Sequence, residues 1–236
     1  MNIINNIRQH SNNLVKVLKV FTVSVAAMLF VGCAAESHQS FAVKKVASYG
    51  TQYQGKRETI VIGNFQNSSS YLRGLFSTVN DRLGNQAKTI LKTHLQQTNR
   101  FNLVDRDNMS EIKQEAELLG IKQQLAGAHY AITGSVTEFG RKEIGDKQLF
   151  GILGSGKKQI AYAKVSLNIV DVLTSTVVYS TQSAGEYALS QREVLGFGQT
   201  ASYDSTLNGK GLNLAITEAV NNLVRDLESG HWSVKK

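Results

Sequence analysis

Gln148 to Asp171, QLFGILGSGKKQIAYAKVSLNIVD, is the stretch whose reading decides the fold. In its second half Ala161, Ala163, Val165, Leu167 and Ile169 fall on one face, and Tyr162, Lys164, Ser166 and Asn168 on the other. That is the period-2 signature of a strand. The first half is rich in glycine and weakly apolar, as expected where a hairpin turns over. Val177 to Asn208 shows the same kind of pattern, so two long hairpins are expected to project from a small globular domain, at about 138–170 and 177–208.

Working outward, 236 residues suffice for one domain with a sizeable core plus a targeting segment. The formal charge is +8, but residues 1–32 contribute Arg8, Lys16 and Lys19 and no acids, leaving 23 basic and 18 acidic residues, a net +5. Such a mildly basic surface without a Lys/Arg run argues against a nucleic-acid partner. Proline is absent, which excludes a proline-rich linker or ligand. One cysteine excludes an intrachain disulfide and a thiolate zinc cluster.

Residues 1–32 read as an export signal. A polar start with three positive charges precedes an apolar run, Val20 to Val31, of 12 residues. A spanning helix needs roughly 20, so cleavage is the expected fate. Gly32-Cys33-Ala34 follows, and this end resembles the lipobox of bacterial lipoproteins, with Phe30 in the place usual for Leu. The resemblance implies a lipidated Cys33, with no other cofactor, at the head of a tether over residues 33–57. Ala34, not Asp, follows the cysteine, which points to the outer membrane. Several acyl chains, at about 0.8 kcal/mol per buried methylene, hold a protein on a bilayer stably.

The remaining chain, 58–236, reads as one domain. Glu58 to Phe65 is a short buried strand, followed by a loop carrying Tyr71, Leu72, Leu75 and Phe76. Val79, Leu83, Ala87, Ile90, Leu91 and Leu95 recur at helical spacing up to Asn99, and Phe101 to Val104 makes a second strand. Asp107 or Asn108 can cap the next helix, with Met109, Ile112, Ala116 and Leu119 inward and Gly120 as its stop. His129 to Phe139 leads into the first hairpin, which returns through Ile160 to Val172 and turns at Leu173-Thr174-Ser175. Lys210 to Glu228 is a last helix with Leu212, Ile216, Val220, Leu223, Val224 and Leu227 in one stripe. The order β-α-β-α-β-β-β-α predicts an α+β domain with a mixed sheet and three helices.

Residues 58–232 resemble the CsgG family of outer-membrane secretion lipoproteins, which export curli amyloid subunits. The resemblance is densest from Leu149 to Val178, and the lipobox, the loop with Tyr71 and Phe76, the FNLVDR strand and a C-terminal helix ending at Trp232 also correspond. It implies a periplasmic ring of copies, nine-fold, whose hairpins join into one transmembrane β-barrel of about 36 strands. It also implies unfolded amyloid subunits as cargo and CsgE- and CsgF-like accessory partners. Tyr71, Leu75 and Phe76 match the spacing of the family's channel constriction, with Leu75 in place of an Asn.

In the second hairpin, Tyr187, Leu189, Leu195, Phe197, Ala201 and Tyr203 share one face, against Glu186, Ser190, Gly196, Gly198, Thr200, Ser202 and Asp204. This is the apolar-out, polar-in pattern of a membrane strand, although a half-buried soluble sheet alternates just as well. Four strands cannot close a barrel, so spanning requires an oligomer. The competing reading is a non-pore envelope lipoprotein on the same fold, an anchor or assembly factor for a surface structure with its hairpins packed as soluble sheet. Enzymatic readings are weak. Gly151 to Lys158 nearly spells a phosphate loop, but Lys158 stands where Ser or Thr should be, and a strand pattern follows where a helix is required. The five histidines show no metal or catalytic spacing, so neither an enzyme nor a metal centre is expected.

Overall fold

The computed structural model describes residues 43–71, 81–147, 155–193 and 207–232. In chain order these form β1 (Glu58–Asn67), α1 (Arg82–Thr98), β2 (Phe101–Val104), α2 (Met109–Leu118), β3 (Tyr130–Lys147), β4 (Ser155–Asp171), β5 (Val177–Glu193) and α3 (Leu207–Glu228). The strands make one mixed sheet in the order β2-β1-β3-β4-β5. β1 is parallel to β2 and β3, and β4 is antiparallel to both β3 and β5. The expected α+β architecture with five strands and three helices is what the chain forms.

Alternation explains the layering. On β4, Ala161, Ala163, Val165, Leu167 and Ile169 are all buried, while Tyr162, Lys164, Ser166 and Asn168 are only half-buried. The buried face of β4 meets Leu212, Ile216 and Leu223 of α3, and Leu91 and Leu95 of α1 with Ile60, Ile132 and Val136 of β1 and β3 complete the same core. Each such side chain contributes about 1.5–3 kcal/mol by leaving water. Among the described residues no helix layer of this kind covers the opposite sheet face.

α3 lies directly on β4 and β5, and the backbone approach is close enough to require glycine. A Cβ on Gly185 would sit 2.3 Å from the Ala215 nitrogen and 2.6 Å from the Gly211 carbonyl oxygen, and a Cβ on Gly211 would sit 3.1 Å from the Ala161 carbonyl oxygen. α3 is fastened there by Ser183 Oγ, which donates to the Ala215 carbonyl at 2.7 Å, and by Tyr179 Oη, which donates to Asp226 at 2.6 Å. Burial and the Asp226 carboxylate push the Tyr179 hydroxyl up to about 12. Between the helices, buried His94 of α1 sits with Nε2 2.9 Å from Asn213 Oδ1 and 3.1 Å from Thr217 Oγ1 of α3.

Two expectations need correcting. Of the residues expected inward on α2, only Ala116 is buried, while Ile112 is exposed and Leu119 is 71% exposed. The reason is positional, because α2 leaves the sheet after the four-residue edge strand β2 and no element among the described residues covers it. Gly120 does end that helix, with φ +66. The N-cap is Asn108, but its side chain caps nothing and instead donates to Asp105. Hydrogen bonds from Lys92, the Asp107 backbone and Asn108 hold the Asp105 carboxyl far below the usual range.

At the start of β1, Glu58 is buried with Lys56 Nζ 2.7 Å from one oxygen and His129 Nδ1 2.7 Å from the other. Burial pushes this carboxyl up, but the Lys56 and His129 hydrogen bonds and charges outweigh it and hold it below the ordinary value. A depressed carboxyl stabilises the fold above its unfolded pKa of about 4.3 and loses that contribution as pH falls through the folded value. Glu58→Gln should therefore flatten the acid limb of a stability-versus-pH curve measured by urea unfolding. Gly185→Val should cost about 1–3 kcal/mol or more in the same assay, because the added side chain meets helix backbone that cannot yield.

Candidate functional site

The sequence points to three places, the lipid anchor, the loop after β1 and the hairpins, and the fold gives the last two a shared base. The loop leaves β1 at Asn67 and returns at Asp81. Both ends are held by one carboxylate, since Asp81 accepts from the Asn67 backbone N–H at 2.6 Å and from the Gly84 N–H at 2.7 Å as the N-cap of α1. Asn67 folds the first residues of the loop over itself, accepting from Ser69 N–H and Oγ and donating to the Tyr71 carbonyl at 2.8 Å. The loop is thus an excursion with pinned ends.

Tyr71 itself is packed. Its ring meets Phe139 of β3 edge-on, with centroids 4.8 Å apart, and its hydroxyl accepts from Asn208 Nδ2 of α3 at 3.1 Å. Asn208 in turn accepts from Arg141 Nε at 3.3 Å. Arg141 Nη1 stands 3.5 Å from Gln159 Oε1 of β4. The loop, the base of the β3–β4 hairpin and the first turn of α3 therefore meet in one polar and aromatic cluster. Leu75 and Phe76, the other two candidate constriction residues, lie outside the described residues.

Beyond this cluster β3, β4 and β5 continue as a three-stranded ribbon, in register as far as Lys147, Ser155 and Glu193. Its residues Arg141, Lys142 and Glu143 are consecutive, so charge occurs on both faces of β3. On β5, Tyr187 and Leu189 are half-buried on the α3 side, with Lys210 Nζ 4.9 Å from the Tyr187 ring centroid. Leu195, Phe197, Ala201 and Tyr203 of the same candidate face, and Cys33, lie outside the described residues. The near-phosphate-loop stretch runs into β4, a strand, which is the wrong element to receive a phosphate. Among the described residues no cluster of His, Cys, Asp or Glu is arranged to hold a metal.

Residues 46–53 are held to the domain by a residue that sequence reading passed over. Arg100 is buried at the end of α1, donating from Nη1 to the Thr98 carbonyl at 2.6 Å and the Thr51 carbonyl at 3.3 Å, and from Nε to Glu228 at 2.9 Å. Its guanidinium also lies 5.2 Å from the Tyr53 ring centroid. With Val46 buried in the core, the segment expected to be a tether is partly built into the domain. No local pattern marks Arg100, whereas Asp81 carried a readable signal, an acid just before a helical run. Asp81→Ala should cost about 1–2 kcal/mol and open residues 68–80 to limited proteolysis, as judged by the rate of the first cut.

The family model described as "Curli production assembly/transport component CsgG" matches residues 39–236. A curated relative named "Putative lipoprotein NMB1126/NMB1164", from Neisseria meningitidis serogroup B, is 61% identical over 209 residues, covering 89% of this chain and 94% of the relative. Among solved structures, the PelC dodecamer from Paraburkholderia phytofirmans is 14% identical with a TM-score of 0.34, covering 77% of this chain and 93% of that one. Lipoprotein GNA1162 from Neisseria meningitidis is 12% identical with a TM-score of 0.31, covering 72% and 99%. At such distances neither structure carries its assembly over to this chain. The family match spans nearly the whole described fold, including the loop stem, the ribbon and α3, and by it this chain belongs to the CsgG family.

Proposed function

We propose that this chain is a lipid-anchored envelope protein of the CsgG family, held on the outer membrane through Cys33, that serves as an anchor or assembly factor for a secreted surface structure. In this reading the ribbon of β3, β4 and β5 stands in water as a docking arm. The observation that carries it is charge on both ribbon faces. A membrane strand needs about 9–11 residues. A membrane span of β3 across Lys142 and Glu143 holds two consecutive exposed charges. Consecutive strand residues take opposite faces, so one of the two would meet hydrocarbon. A charge at the midplane costs up to about 2–4 kcal/mol. The naming of the Neisseria meningitidis relative as a lipoprotein supports the lipid anchor.

The second reading is the oligomeric secretion channel for unfolded curli-type subunits. Family membership favours it, as does the extension of β3, β4 and β5 beyond the domain. It assigns Tyr71, Leu75 and Phe76 to a constriction and Tyr187, Leu189, Leu195, Phe197, Ala201 and Tyr203 to the lipid face. It also requires Tyr71 to leave Phe139 and Asn208 on assembly.

Three measurements separate the readings. Cys33→Ser should move the protein from the membrane to the soluble fraction. The purified lipidated protein should give no conductance in planar bilayers, and Leu195→Asp with Phe197→Asp should leave membrane localisation intact. Wide ohmic channels, abolished by that double substitution, would establish the channel and overturn the docking-arm reading.

A further inference from the structure

The two edges of the sheet are treated differently. β2 is four residues long, a blunt edge of the kind that resists pairing. β5 has 17 residues, and among the described residues only β4 pairs with it. From Val177 to Gly185, VVYSTQSAG, it contains no charge and no proline, two of the devices by which natural edges are protected, and the one bulge among its described pairings, at Val178, leaves Tyr179 to Gly185 in unbroken register with β4. The edge is also rigid. Tyr179 and Ser183 bond to α3, whose first described turn lies level with Tyr187, two residues beyond this stretch.

The open sheet face shows what such an edge would accept. Two rows of uncharged polar side chains cross it in register, Thr133–Asn168–Ser180 and Ser135–Ser166–Gln182. Ser180 Oγ donates to Asn168 Oδ1 at 2.7 Å, so the first row is already hydrogen-bonded side chain to side chain. Both rows end at exposed residues of β5. A further strand with hydroxyl or carboxamide side chains at alternate positions would lengthen both rows while its backbone pairs with β5.

We propose that Val177–Gly185 of β5 is a strand-addition site for an extended, uncharged segment of another polypeptide with Ser, Thr, Asn or Gln at every second position. A second copy of this chain fits less well, on two grounds. The other free edge, β2, is too short to match, and antiparallel pairing of two β5 strands would turn one copy end over end. The second ground rests on the Cys33 anchor, which orients every copy to the same membrane. Strand addition thereby gives the proposed assembly factor a recognition chemistry that reads backbone and side-chain class rather than one sequence.

The test uses the mature full chain in detergent and two synthetic nine-residue peptides, one alternating Gln and Val and the other identical with Glu in place of Gln. Binding is read by fluorescence anisotropy, and the site by amide hydrogen exchange. The Gln peptide should bind and slow exchange within residues 177–185, and the Glu peptide should bind at least tenfold more weakly. Ser180→Lys and Gln182→Lys, both at exposed positions, should each weaken the Gln peptide at least tenfold, whereas Ser180→Thr should keep binding. Circular dichroism melts of the Lys variants should match the parent, which separates a blocked edge from a damaged fold. Absence of binding, or equal binding of both peptides, would overturn the proposal. So would indifference to the Lys variants, or an edge-dependent dimer in light scattering that Gln182→Lys dissolves. A Cys33→Ser protein that stays on the membrane while the peptide still binds would remove the anchor argument against a second copy without touching the site.

Discussion

The close approach of α3 to β5 at Gly185 is the constraint on which the other features of this domain depend. Because helix and strand backbones nearly touch there, α3 lies flat on β4 and β5 and buries Leu212, Ile216 and Leu223 in one stripe. The same contact sets Asn208 at the height of Arg141 and Tyr71, and it ties the lower half of β5 through Tyr179 and Ser183. Raise α3 by one side chain and the loop stem, the ribbon base and the rigid edge all lose their reference. Packed interiors transmit such a shift instead of absorbing it, since they have little free volume.

Around that contact, single polar residues hold the mobile-looking parts of the sequence to the core. Asp81 closes the loop after β1 with one carboxylate shared between a strand end and a helix start. Arg100 does the corresponding work for the segment leading to Cys33, spreading its donors over two carbonyls and Glu228. Charge-assisted bonds of this kind are stronger than neutral ones and fix direction as well as distance. The result is a body from which the loop after β1 and the ribbon leave at defined places.

The distribution of polarity separates the parts by task. The α1–α3 side of the sheet is apolar and covered, and the other face carries two rows of hydroxyls and carboxamides followed by the paired charges of Lys164 and Glu138. The ribbon, by contrast, mixes charge into both its faces from Arg141 onward. A helix such as α2, whose Ile112 and Leu118 stay exposed among the described residues, marks where the layer stops.

Much of this was written locally in the chain. The alternation from Ala161 to Ile169 specified β4 and its buried face, the stripe from Leu212 to Leu227 specified α3, and their order with the earlier elements specified a mixed sheet with three helices. Periodicity determines such elements because each side chain's face follows from its own position along the strand or helix. What lay beyond it was every property that needs two distant segments at once. Ile112 and Leu119 follow a helical stripe yet stay exposed, because burial depends on whether another element arrives. Arg100, Asn208 and the free edge of β5 gained their roles only when residues 48–53, 141 and 168 were brought beside them. Sequence determined which face of each element is apolar, and tertiary structure decided which of those faces is covered, since covering is a property of pairs of elements and not of either one.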